Sequence, residues 1–119
     1  MGVTLEELEQ VKDKVKKWCK SRNQWSTVLK ILVKKNNSPI CPRDLKGTSI
    51  KDPATVLYDM ALRNPDKKYY ERNNFMLYGK DYKAKPVLIL YKKVGIIPYY
   101  KIRDEYFDAI KNVINEYFK

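Results

Sequence analysis

A chain of 119 residues with an apolar share of 44% is the size of one domain with one modest core, 1–119. Its net charge of +11, from 25 lysines and arginines against 14 acids, points to a polyanionic partner. The absence of histidine removes the usual neutral-pH acid–base group, and Cys19 and Cys41 alone are too few ligands for a zinc site.

The first element is a helix from Thr4 to Lys20. Thr4 is its expected N-cap, and Glu7 three residues on completes a capping box. Leu5, Leu8, Val11, Val15 and Trp18 recur at helical spacing, with Lys12, Asp13, Lys16, Lys17 and Lys20 opposite. Acids lead this helix and lysines finish it, as the macrodipole favours. Cys19 falls on it as a small apolar residue. Ser21-Arg22-Asn23 is a break, and a second helix is expected from Gln24 to Lys35, with Trp25, Val28, Leu29, Leu32 and Val33 facing inward. Asn36-Asn37-Ser38-Pro39 supplies turn chemistry to end it.

The stretch ICPRDLKGTSIKDPATVLYDMALRN, Ile40 to Asn64, follows. Pro42 opens a short helix that Gly47 closes, and Thr48 to Lys51 connects it to the next element. Asp52 is a cap and Pro53 a first helical residue, so a longer helix is expected to Arg63. Val56, Leu57, Met60 and Ala61 share its inner face; Thr55, Tyr58, Asp59, Leu62 and Arg63 project from the other. Lys67 to Asn74 is polar, basic and aromatic. Phe75–Tyr78 is a short strand and Gly79–Lys85 a basic loop. Val87–Tyr91 is a strand, Lys92-Lys93-Val94-Gly95 a hairpin turn, and Ile96–Ile102 the return strand, where Pro98 argues for an edge or a bulge. A last helix starts at Asp104 as cap, with Tyr106, Phe107, Ile110, Val113, Ile114, Tyr117 and Phe118 as its stripe. The apolar stripes of the terminal helices either close the core or form the seam of a homodimer.

Helix, short helix, turn, longer helix and hairpin is the order of elements in winged helix-turn-helix domains, which the chain from Gln24 to Ile102 resembles. The expected fold is therefore α+β and mainly helical. It has a winged helix-turn-helix core over 24–102, flanking helices over 4–20 and 104–118, and a small antiparallel sheet. The lysine- and tyrosine-rich, histidine-free composition also resembles that of small regulators from archaea, their viruses and plasmids. By the resemblance, Pro53–Arg63 is the recognition helix, with Thr55, Tyr58 and Arg63 turned to a duplex. Thr48, Ser49 and Lys51 would meet phosphate, and Lys80, Lys83 and Lys85 would sit on the wing. Lys67, Lys68 and Arg72 extend the basic surface. Two departures are visible: the Gly47–Asp52 turn is long, and the recognition face carries one arginine beside an aspartate and a leucine. Lysines dominate, so affinity is expected to come mainly from phosphates and to depend on salt.

The expected function is duplex DNA binding in transcription or replication control, with no catalytic residues, metal or cofactor. Other readings have residues of their own. Tyr69, Tyr70 and Tyr82 among Lys67, Lys68, Arg72, Lys80 and Lys83 fit single-strand stacking. Pro65-Asp66 with Asp81-Tyr82-Lys83 resembles a metal-dependent nuclease signature, although Asp81–Lys83 reads as a turn where that family has a strand. A protein-interaction module blocking a nucleic-acid enzyme is the third. No apolar run approaches the ~20 residues that span a bilayer, and Glu6, Glu7 and Glu9 replace a signal-peptide pattern, so an intracellular, cytoplasmic protein without a membrane partner is expected.

Overall fold

Two helix ends of the same design set the path of the N-terminal half. In the computed structural model, which describes residues 5–61, 77–78 and 84–118, α1 (Leu5–Lys20) stops at Arg22, whose φ of 57° is left-handed. The Arg22 N–H donates to the Cys19 carbonyl at 3.2 Å and the Asn23 N–H to the Trp18 carbonyl at 2.9 Å, the paired bonds of a Schellman end. Asn23 then begins α2 (Gln24–Lys34), its Oδ1 accepting from the Trp25 N–H at 2.9 Å. One residue thus finishes one helix and caps the next. α2 ends the same way: the Asn36 N–H donates to Val33 and the Asn37 N–H to Leu32, with Asn36 at φ 52°. Trp18 and Trp25 meet edge to face across the first corner, ring centroids 5.3 Å apart.

After α2 the chain runs extended through Ile40, which pairs antiparallel with Tyr100. A 3-10 turn (Pro42–Leu45) and α3 (Pro53–Met60) follow, the latter ending short of the expected Arg63, with Leu62 and Arg63 outside the described residues. β1 (Leu77–Tyr78) pairs with β2 (Ala84–Lys85), so the last two residues of the expected basic loop are strand. β3 (Leu88–Val94) and β4 (Ile97–Ile102) form the main hairpin. Lys92, Lys93 and Val94 are part of β3, not of a turn; the turn is Gly95-Ile96, with Gly95 at φ 63°, the residue a two-residue hairpin loop requires there. The expected bulge lies opposite Pro98's strand: Tyr91 is the extra residue between the Leu90–Tyr100 and Lys92–Tyr99 pairs. Ile40 on the other side of β4 gives the local order Ile40, β4, β3.

The last helix, α4 (Asp104–Tyr117), has Arg103 and not Asp104 at its cap position. Asp104 instead lies in the first turn and pairs with Lys101 at 2.7 Å. α1 packs chiefly along α4, so each terminal stripe buries the other: Val11, Val15 and Trp18 with Tyr106, Ile110, Val113 and Ile114. α2, Ile40, Leu45, Leu57, Met60, Leu88 and Ile102 complete the core. Each such aliphatic side chain contributes about 1.5–3 kcal/mol on burial. Leu5, expected in the stripe, is 83% exposed, whereas Glu7 is buried and accepts a hydrogen bond from the Tyr106 hydroxyl at 2.5 Å. The fold is α+β and mainly helical, with four α-helices among the described residues.

Candidate nucleic-acid interface

The turn between the 3-10 segment and α3 is held from within. Gly47 adopts φ 82°, a conformation that costs a Cβ-bearing residue about 1–2 kcal/mol. The Thr48 hydroxyl donates to the Leu45 carbonyl at 2.6 Å and accepts from the Ile50 N–H at 3.2 Å. Ile50 is buried and pins the loop to the core. Ser49 and Lys51 are left on the surface. The Lys51 N–H donates to Gln24 Oε1 at 3.2 Å, which ties this turn to the start of α2. Asp52, at φ 49°, accepts from both the N–H and the hydroxyl of Thr55, at 3.4 and 2.8 Å. Pro53 follows as the first residue of α3, where its missing N–H costs nothing.

This junction produces an open groove of about 540 Å³ between the N-terminal ends of α2 and α3. Arg22, Asn23, Gln24, Lys51 and Thr55 line it together with Asp52 and Asp59. Thr55 and Tyr58 are exposed on α3, as expected of outward residues. Asp59 is not outward: it is 7% exposed, because the short α3 turns that face toward α2. Asp59 thus leaves its expected place on the outer face of α3 and lines the groove with Arg22 and Lys51. Two cations, Lys51 and, from the end of α1, Arg22, share the groove with α3, and Arg43 and Lys46 are exposed on the segment before it. Arg22 was not visible as a site residue in the sequence, since only the two back-to-back helix caps bring it beside Lys51.

The second basic surface is the β3–β4 hairpin, where Leu90 to Ile96 are exposed. Lys92 and Lys93 lie here, one on each face of the ribbon. The Lys92 ammonium rests over the Tyr99 ring and the Lys101 ammonium over the Tyr91 ring, each 5.4 Å from the centroid. The Tyr99 hydroxyl faces Cys41. Electrostatic interaction with the Cys41 sulfur, then burial and the hydrogen bond to it, with Asp44 adding, raise the phenol above its ordinary pKa; Arg43 opposes them. Cys41 and Cys19 are buried free thiols, and burial pushes the Cys19 thiol up. Cys19 fills apolar space in the core, as small core residues do.

Of the remaining sequence-based site residues, Arg63, Lys67, Lys68, Arg72, Lys80 and Lys83 lie outside the described residues, as do Tyr69, Tyr70, Tyr82, Asp66 and Asp81. Lys85 is placed by its backbone in β2. Among the described residues no three His, Cys, Asp or Glu side chains gather as metal ligands, and no helix is long and apolar enough to cross a membrane. No protein-family model matches the chain, and neither a curated protein nor a solved structure is significantly similar to it.

Proposed function

We propose that this chain is a double-stranded DNA-binding protein of winged helix-turn-helix type, a regulator of transcription or replication that grips its target mainly through phosphates. The pairing of Ile40 with Tyr100 carries the reading. It sets a third strand residue, just before the 3-10 turn, beside the hairpin that follows α3. Helix, strand residue, short helix, longer helix and two-stranded hairpin then form one unit around Leu32, Leu45, Leu57 and Ile102. In that unit α3 takes the recognition role through Thr55 and Tyr58. Ser49, Lys51 and Arg22 take phosphates. The β3–β4 hairpin with Lys92 and Lys93 takes the place of a wing.

The charge distribution suits this division. An ammonium on a flexible stem binds phosphate without reading sequence, and few groups here can read base edges. Any homodimer would use a seam other than the α1–α4 stripe, which one chain already buries.

Fluorescence anisotropy with a labelled duplex, over roughly 50–200 mM salt, tests the proposal. With six or more phosphates neutralised, the association constant falls by about 10³-fold or more over that range. A flat salt response, or no binding at about 50 mM salt, refutes it, and salt-insensitive capture of a protein would favour an interaction module.

A further inference from the structure

The tip of the β3–β4 hairpin joins apolar exposure to the positive charge of Lys92 and Lys93. Ile96 is 94% exposed and Val94 53%, on the two sides of Gly95, while Tyr91 at the bulge is 54% exposed. A turn whose task is only to reverse the chain takes polar residues at these places. Lys101 and Arg103, at the base of the hairpin, are paired with Asp104 and Glu105, so the charge near the tip is that of Lys92 and Lys93, and from Pro86 to Ile102 the sequence holds no aspartate or glutamate. Tyr100, opposite Leu90, is buried and paired with Ile40, so the arm that leaves the body runs the four steps from Leu90 to Val94, about 13 Å at ~3.3 Å per residue. That exceeds the minor groove's depth of about 7.5 Å.

We infer that Ile96, backed by Val94, is a wedge that enters the minor groove of duplex DNA and unstacks a base-pair step, while Lys92 and Lys93 hold the flanking phosphates. This rests on the duplex-binding reading above and adds to it a deformation of the DNA. An apolar side chain between base pairs leaves water, and the adjoining ammonium groups remain at the surface beside anionic oxygens. Charge complementarity therefore selects a polyanion with an apolar interior layer. A duplex satisfies this with a single inserted side chain. A membrane does so poorly, because two aliphatic side chains bury less than the single acyl chain that already gives only marginal membrane binding.

The test uses the full chain and a roughly 30-bp duplex carrying a donor and an acceptor dye at its ends. Bound wild-type protein bends the duplex by about 20–90°, read as increased energy transfer. Ile96→Ser, and Val94→Ser with Ile96→Ser, bind with a salt slope unchanged to within about one ion but leave the duplex near straight. Circular dichroism checks that both variants keep the wild-type fold, as such exposed positions allow. Two results overturn the wedge and leave duplex binding standing: a straight duplex under saturating wild-type protein, or an Ile96→Ser complex as bent as the wild type. No duplex binding by wild type at about 50 mM salt removes both readings. Vesicles containing phosphatidylserine form a parallel arm. Saturable binding to them that Ile96→Ser abolishes, with no DNA bend, assigns the tip to a membrane and overturns the wedge.

Discussion

Replacing Tyr106 by phenylalanine keeps the ring and removes one hydroxyl, and the consequence can be worked from the structure. Tyr106 is fully buried, Glu7 is 8% exposed, and their oxygens are 2.5 Å apart. The bond joins the first turn of α1 to the first turn of α4, ninety-nine residues away in sequence. A hydrogen bond to a charged, desolvated acceptor contributes about 1.5–3 kcal/mol. For a chain of this length the unfolding entropy converts that to a Tm lowered by roughly 6–12 °C at neutral pH. There is also a pH signature. Burial first, and then the hydrogen bond and charge of Glu7, raise the Tyr106 phenol far above its ordinary value near 10. Above pH ~10 the unfolded phenol sheds its proton and the folded one keeps it. The folded state then binds more protons, so stability present below pH ~10 declines as pH rises toward the folded value, by at most ~1.4 kcal/mol per unit. Tyr106→Phe lacks this component, and its deficit relative to wild type shrinks in alkali. Thermal unfolding followed by circular dichroism, at neutral pH and above pH ~10 and at two protein concentrations, reads all three effects. A Tm change under about 2 °C would show that the bond is not desolvated as described. A Tm that climbs with concentration would show that the fold draws stability from a second copy.

Three further outcomes are expected. Asn37→Ala removes both bonds from its side-chain amide to the backbone of Ile102, at 2.9 and 2.8 Å. It also puts alanine at φ 63°; urea denaturation should show a loss of about 2–4 kcal/mol, and Asn37→Gly should recover only the ~1 kcal/mol of backbone strain. Arg22→Gly relieves the left-handed residue that ends α1, and should raise stability by up to ~1 kcal/mol while weakening duplex binding, a separation that calorimetry and anisotropy together detect. Lys93→Gln should reduce the slope of log affinity against log salt by about 0.9 without affecting unfolding; an unchanged slope would remove this side chain from the phosphate contacts.

Much of the helical half was legible because its signals are local. Asn23, Asn36, Asp52, Pro53 and Gly47 each act on a backbone group within a few residues, so the breaks and starts they mark occur where expected. The inner faces of α2 and of α4 as far as Ile114 followed from spacing alone, since a helix of fixed period turns the same residues to the core; Tyr117 and Phe118, expected in the α4 stripe, are exposed where the helix runs out. Local signals misled where a partner distant in sequence decided the outcome. Lys92-Lys93 has turn composition, yet pairing with Tyr99 and Pro98 continues the strand through it, and the bulge at Tyr91 sets that register. Leu5 keeps the helical period of the α1 stripe, but at the helix's first turn Glu7 faces α4 instead, where Tyr106 supplies a donor.

The candidate site divides in the same way. Ser49, Lys51, Thr55 and Tyr58 were readable from the proline-capped helix and its turn. Arg22 beside Lys51, the withdrawal of Asp59 and the exposed hairpin tip required three dimensions. Composition by itself determined that the protein has one core and a cationic surface, and periodicity determined where its helices lie, because both depend on residues near one another along the chain. Which cations share a groove, and which strand residue closes beside β4, was decided by tertiary packing, because those pairings join segments whose separation the local pattern does not encode.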